Sequence, residues 1–209
     1  MDGRTLLVKY LDQCPLIAIL RGVRPDEVDA IGDALREAGI RIVEVPLNSP
    51  DPLRSIERLA SRFGDDLLVG GGTVFTPANV EDIHAAGGRI IVSPHGNPNV
   101  IRATVQAGMV SCPGYFTPTE AFAALDAGAN ALKLFPAEAA SPDVLKAHLA
   151  VIPKDVPMIV VGGVKPGQTR PWRDCGAAGF GLGGALYTAG QSAAETLVKA
   201  RAFVTGLDA

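Results

Sequence analysis

Histidine and cysteine are both scarce in this chain of 209 residues, with three of each. Cys14, Cys112 and Cys175 are scattered and form no CxxC pair. That excludes a disulfide framework and points to a reducing, cytoplasmic setting. His84 and His148 fall in helix-like segments, and only His95 closes a strand-like one. A metal centre needs several convergent ligands, so this supply argues for chemistry without a metal. The formal net charge is only −3, which argues against nucleic acid or an anionic membrane surface as the main partner. No apolar run approaches the roughly 18 residues of a membrane span. The opening "MDGRTLLVKYLDQC" intersperses Asp2, Arg4, Lys9 and Asp12 among its apolar residues, unlike a signal peptide. Its Leu6, Leu7, Tyr10 and Leu11 follow helical spacing and predict a short leading helix. No linker, charge run or low-complexity tract divides the chain, so residues 1–209 are expected to form one domain. With 47% hydrophobic and 20% charged residues, a sizeable core is possible and disorder is not expected.

What the sequence does have is a repeat. Strand-like runs begin at 15 ("PLIAIL"), 40 ("IRIVEV"), 66 ("DLLVGG"), 89 ("RIIVSP"), 109 ("MVSCPG"), 131 ("ALKLFP"), 157 ("PMIVVGG") and 179 ("GFGLGG"). Helix-like segments such as "PDEVDAIGDALREAG" and "TPTEAFAALDAG" lie between them, several ending in Ala-Gly, a helix stop. Alternation at this spacing implies parallel strands joined by right-handed crossovers. Eight such units predict a (β/α)8 TIM barrel with a short N-terminal helix, a doubly wound open sheet being the alternative.

Barrel active sites lie at the C-terminal ends of the strands, which directs attention to Arg21, Glu44, Thr73, Pro94 with His95, Cys112 to Gly114, Lys133, Gly162 with Gly163, and Gly183 with Gly184. Lys133 stands in an otherwise apolar strand, where an unpaired ammonium is costly. Strand alternation sends Leu132 and Leu134 toward the helices and Ala131, Lys133 and Phe135 into the barrel. By the same rule Ile42 and Glu44 point inward. Lys133 and Glu44 could form a buried structural ion pair. They could instead perform covalent catalysis: a desolvated lysine keeps some neutral amine at working pH, attacks a ketone, and forms an iminium that accepts electrons from a breaking carbon–carbon bond. Glu44 would then carry the protons.

Glycine supplies the next element. "VVGGV" and "GLGGALY" place Gly-Gly pairs at the ends of the seventh and eighth strands, where this fold commonly binds phosphate. Backbone N–H groups can converge there without Cβ obstruction. Arg21 in "AILRG" is a fixed cation at the barrel mouth, suited to an anionic group, and Thr73 in "GGGTV" offers a hydroxyl, a peripheral loop contact being the alternative for each. Cys112 reads as a buried small residue with no histidine to activate it. Trp172 and Tyr187 read as packing residues.

The stretches "PLIAILRG", "VEVPLNSP", "GGGTV", "IIVSP", "CPGYFTPTEA", "ALKLFPAE", "VGGV" and "GLGGALY" together resemble the 2-keto-3-deoxy-6-phosphogluconate/galactonate aldolases, pyruvate-dependent Schiff-base enzymes of class I, over about residues 15–190. The resemblance implies that Lys133 forms the Schiff base and Glu44 is the acid/base. Arg21 and Thr73 would meet the substrate's carboxylate end or hydroxyls, and Gly163, Gly183 and Gly184 its phosphate. Asn48, Pro94 and Phe135 complete the expected substrate-binding set. It further implies no metal or organic cofactor, a phosphorylated keto-deoxy sugar acid as substrate, and a cytoplasmic homotrimer.

Gluconate-type members usually carry an arginine soon after the glutamate, in an E-V-T-L-R pattern. Pro46 and Asn48 in "EVPLNSP" instead resemble the galactonate-type branch, which implies cleavage of 2-dehydro-3-deoxy-6-phosphogalactonate to pyruvate and glyceraldehyde 3-phosphate. Two positions depart from the pattern. Gly184 stands where a serine is usual, which removes a phosphate-binding hydroxyl, and His95 follows Pro94 where galactonate-type relatives tend to have asparagine. The gluconate epimer, or use of both, is the near alternative. A metal-dependent sugar-phosphate epimerase and a non-catalytic phosphosugar-binding protein are the distant ones. Sparse histidines weigh against the first, and the KLFP context of Lys133 against the second.

Overall fold

A computed structural model describes residues 2–207. Met1, at the head of the leading segment, and the last two residues lie outside it. Nine strand segments are described: β1 (Leu16–Ile19), β2 (Ile42–Pro46), β3 (Leu68–Gly72), β4 (Ile90–Val92), β5 (Val110–Cys112), β6 (Gly114–Tyr115), β7 (Leu132–Leu134), β8 (Met158–Val161) and β9 (Gly179–Leu182). All neighbours pair parallel, in the order β5-β4-β3-β2-β1-β9-β8-β7-β6. The sequence predicts eight strands, and the ninth arises from a split. Pro113 has no N–H to donate and interrupts the ladder, although its carbonyl still accepts from the Lys133 N–H at 2.9 Å. The single stretch 110–115 therefore bonds β4 through its first half and β7 through its second, bringing the two ends of the sheet together in a barrel.

Helices cover the outside. α1 (Gly3–Leu11) precedes the barrel, α2 (Val28–Ala38), α3 (Pro52–Phe63), α4 (Pro77–Ala85), α5 (Pro98–Gln106), α6 (Pro118–Asp126), α7 (Pro142–Leu149) and α8 (Arg170–Asp174) lie in the crossovers, and α9 (Ala193–Thr205) follows the last strand. Four of them start the same way, with a capping Thr76, Asn97, Thr117 or Ser141 whose side chain accepts a backbone N–H, then a proline. The polar cap satisfies an orphan donor, and proline's fixed φ suits the first helical position. At the other end, Ala-Gly stops α2 with Gly39 at φ 102°, a left-handed conformation that costs glycine nothing.

Alternation along the strands makes two cores. Leu16, Val43, Val45, Leu132, Leu134 and Val160 pack outward against the helices. Ile17, Ile42, Leu68, Val110, Ala131 and Ile159 fill the barrel. Leu7, Tyr10 and Leu11 of α1 join that inner core. Tyr10 donates to the Asp65 carbonyl at 2.8 Å and Arg4 pairs with Asp155, both at the strands' starting ends. α1 thus plugs the floor of the barrel, leaving the C-terminal strand ends as the open mouth. Tyr187 is buried as expected, and its hydroxyl also donates to Glu27 at 2.8 Å.

Candidate active site

The mouth holds a cavity of about 340 Å³ lined by Arg21, Glu44, Thr73, Pro94, Lys133, Phe135, Gly163, Gly183 and Gly184, nine of the ten residues that the sequence assigns to catalysis or substrate binding. The tenth, Asn48, stands one contact back. Its Oδ1 accepts from Arg21 Nη1 at 2.5 Å, while Thr73 Oγ1 accepts from Arg21 Nη2 at 3.4 Å. The turn carrying Asn48 is itself held: Ser49 accepts the Gly22 N–H on its hydroxyl at 2.9 Å and donates its own N–H to the Pro46 carbonyl at 2.9 Å. Thr73 sits at φ 59°, a left-handed backbone that a β-branched residue adopts only at a cost of about 1–3 kcal/mol, and such strain clusters where a site demands one geometry.

Lys133 and Glu44 occupy the depths, 7% and 2% exposed. They do not form a direct ion pair. Lys133 Nζ lies 4.6 Å from the centroid of the Phe135 ring, and Glu44 Oε2 is buried without a hydrogen-bond partner among the described residues. Burial pushes the Glu44 carboxyl up to about 7, against the opposing pull of Lys133 and Arg21. The same desolvation lowers the Lys133 ammonium, with Glu44 and Cys112 resisting and Arg21 assisting. One group is thereby raised and the other lowered, which narrows the gap in proton affinity between a carboxyl and an amine that share one cavity.

Glu44 reaches its position only because β3 is bare beneath it. A Cβ placed on Gly72 would stand 1.6 Å from Glu44 Oε2. The "GGG" run carries this signal, which the sequence reading used only to frame Thr73. It likewise passed over Glu138 and Lys165, which line the cavity beside Gly162 and Gly163. On that rim the glycines differ. Gly162 and Gly163 have φ 119° and 65°, so their own backbone calls for glycine. A Cβ on Gly183 or Gly184 would meet nothing within 4 Å.

His95 is exposed and turns to the Phe75 ring, centroids 5.6 Å apart, rather than lining the cavity. Cys112 is fully buried, and desolvation lifts its thiol to about 12, far from a reactive thiolate. Among the described residues no three His, Cys, Asp or Glu side chains gather where a metal could bind.

A parallel barrel whose mouth gathers a desolvated lysine, a carboxyl of raised pKa and two glycine-built strand ends fits the class of α/β-barrel lyases. The chain belongs to the KDPG and KHG aldolase family, whose model matches residues 7–199, and is a lyase. It is 47% identical over 197 residues to the 2-dehydro-3-deoxy-6-phosphogalactonate aldolase of Escherichia coli (strain K12), covering 94% of this chain and 96% of the relative. A solved structure described as native KDPGal superposes with TM-score 0.91 at 48% identity, over 93% of this chain and 94% of the other. A cube-shaped, porous protein cage designed by fusing symmetric oligomeric domains contains a similar barrel, with TM-score 0.90 and 48% identity over 92% of this chain and 71% of that one.

Proposed function

We propose that the chain, as one domain, cleaves 2-dehydro-3-deoxy-6-phospho-D-galactonate to pyruvate and D-glyceraldehyde 3-phosphate through a Schiff base on Lys133. The observation that carries the reading is the pair itself: two desolvated ionisable groups face one cavity without cancelling each other in a salt bridge. A structural pair would be expected to close, because separation leaves both charges uncompensated.

The neutral amine of Lys133 attacks the C2 ketone. Glu44, protonated near pH 7, gives its proton to the carbinolamine hydroxyl, and water leaves as the iminium forms. The Glu44 carboxylate then takes the proton of the C4 hydroxyl. The C3–C4 bond breaks, its electron pair moves into the iminium to give an enamine, and the aldehyde departs. Glu44 returns the proton to the enamine carbon, and water hydrolyses the iminium to pyruvate and free Lys133. The electron sink is the lysine adduct, so no external cofactor enters. Arg21, steadied by Asn48 and Thr73, suits the carboxylate beside C2. Gly163, Gly183 and Gly184 suit the phosphate, with Pro94 and Phe135 as apolar walls.

The galactonate epimer is favoured by the 47%-identical relative and by Asn48 beside Arg21. We place the functional unit as a cytoplasmic homotrimer, a reading supported by the family resemblance and by the symmetric oligomeric domains of the 48%-identical cage. Borohydride reduction in the presence of pyruvate tests the covalent step. Mass spectrometry should find a reduced pyruvyl adduct on the peptide containing Lys133. An adduct elsewhere, or none, would overturn the assignment.

A further inference from the structure

The terminal phosphate of the proposed substrate carries charge that the depths of the cavity cannot meet. Lys133 is committed to the ketone, and Arg21 is held toward β2 and β3 by Asn48 and Thr73. On the β8–β9 side, Gly183 and Gly184 offer backbone alone, in open space. Backbone N–H groups give a dianion hydrogen bonds but only partial charge.

Among the described residues, one cation stands on that rim. Lys165 follows β8 two residues after Gly163, is exposed, and lines the same cavity. Among the described residues no carboxylate pairs with it. Its charged neighbour across the glycines is Glu138, also exposed and lining the cavity, whose Oε2 would stand 2.0 Å from a Cβ on Gly162. Without Lys165, the charged side chain presented to a phosphate on this side would be acidic.

We propose that Lys165 is the specificity residue for the substrate's terminal phosphate. Its flexible stem lets the ammonium close over the dianion while the glycine backbone holds it from below, and its charge offsets Glu138. An acceptor lacking phosphate gains nothing from it. The inference rests on the aldolase reading, and the experiment separates the two.

The assay is run in the condensing direction, pyruvate with D-glyceraldehyde 3-phosphate or with unphosphorylated D-glyceraldehyde. Lys165→Gln should narrow the preference in kcat/KM for the phosphorylated aldehyde by about 10- to 100-fold, the worth of one hydrogen bond to a charged group. Lys165→Arg should recover most of that preference, and added salt should erode it in the wild type. An unchanged preference in Lys165→Gln, or equal losses with both aldehydes, would overturn the proposal. Exchange of pyruvate methyl protons with deuterated water requires only Lys133 and Glu44. A wild-type protein that does not exchange them would sink the aldolase reading itself. Exchange retained in Lys165→Gln alongside an unchanged preference would sink Lys165 alone.

Discussion

The depths and the rim of this cavity treat charge in opposite ways. Lys133 and Glu44 stand on β7 and β2, under 10% exposed, with protonation shifted by burial. Lys165, on a loop, and Glu138, on the short 3-10 turn Ala137–Ala139, stand in solvent. Buried charge is tuned because the protein controls its dielectric surroundings, and tuning suits proton and electron transfer. Exposed charge meets a ligand from solvent and is screened by salt, which suits recognition. A rigid strand supplies the first and the connections beyond the strand ends the second. The contrast predicts that changes in the depths should strike turnover, while changes near the mouth should strike selectivity.

The hardest break is Lys133→Ala, which removes the proposed nucleophile and leaves Lys165, exposed at the rim, as the remaining lysine of the cavity. Turnover and borohydride labelling should both vanish, while circular dichroism and thermal melting show a folded protein. Turnover at the wild-type level would make the lysine structural and erase the distinction between the two regions.

Glu44→Gln keeps the shape and cannot shuttle protons, so kcat should fall about 10²–10⁴-fold. The same variant carries a stability signature. The folded carboxyl is raised to about 7 from an ordinary 4.5. Between those values the folded chain holds a proton that the unfolded chain has released. Stability from this group therefore falls as pH rises through that window. Melting temperature followed across the window should slope less steeply downward in Glu44→Gln than in wild type. An identical slope would show that Glu44 titrates normally.

Gly72→Ala tests whether the depths depend on position as well as chemistry. A Cβ 1.6 Å from Glu44 Oε2 must drive the carboxylate away, and misplacement of a reacting group by about 1 Å can cost about 10²-fold. The expected result is a loss in kcat with the Lys133 adduct still forming slowly under borohydride. Wild-type kcat would show that Glu44 has room to work elsewhere.

Gly72 also marks where the sequence stops being legible. Period-two alternation sufficed to turn Ala131, Lys133 and Phe135 inward and Leu132 and Leu134 outward, because that choice is local to one strand. The requirement at Gly72 is not local. It comes from a side chain on β2 crossing a neighbouring strand, and no spacing rule encodes that approach. The break at Pro113 is intermediate: the proline is visible in "SCPG", but its effect depends on which neighbours the strand pairs with on either side. Strand-end reasoning does not reach Lys165 and Glu138, which stand beyond the strand ends on connections whose course follows from the fold. His95 shows the reverse error of strand-end reasoning, since a residue can end a strand and still turn away from the cavity.

The smallest effect, and the sharpest test of how the mouth selects, is expected at Asn48. It does not line the cavity and acts through Arg21, whose Nη1 donates to its Oδ1 at 2.5 Å. Asn48→Arg removes the acceptor, since a guanidinium has only donors, and sets a second positive charge beside the first. Arg21 would then be held by Thr73 alone, through the longer 3.4 Å contact. A substrate carboxylate could settle between two cations instead of against one, tilting the C4 hydroxyl relative to Glu44. The two candidate substrates differ in configuration at that carbon. A site built to satisfy one hydroxyl leaves polar groups unpaired with the other. Wild type should therefore give the higher kcat/KM with the galactonate-derived substrate, and Asn48→Arg should move the ratio toward the gluconate epimer by about tenfold, the scale of one charge-assisted hydrogen bond. Both substrates can be followed by a pyruvate-coupled assay. Asn48→Ala, which loosens Arg21 without adding charge, should weaken both substrates and move the ratio less. A ratio that Asn48→Arg leaves untouched would show that Arg21 is oriented by Thr73 and its own strand, and that the choice of epimer is made elsewhere in the cavity.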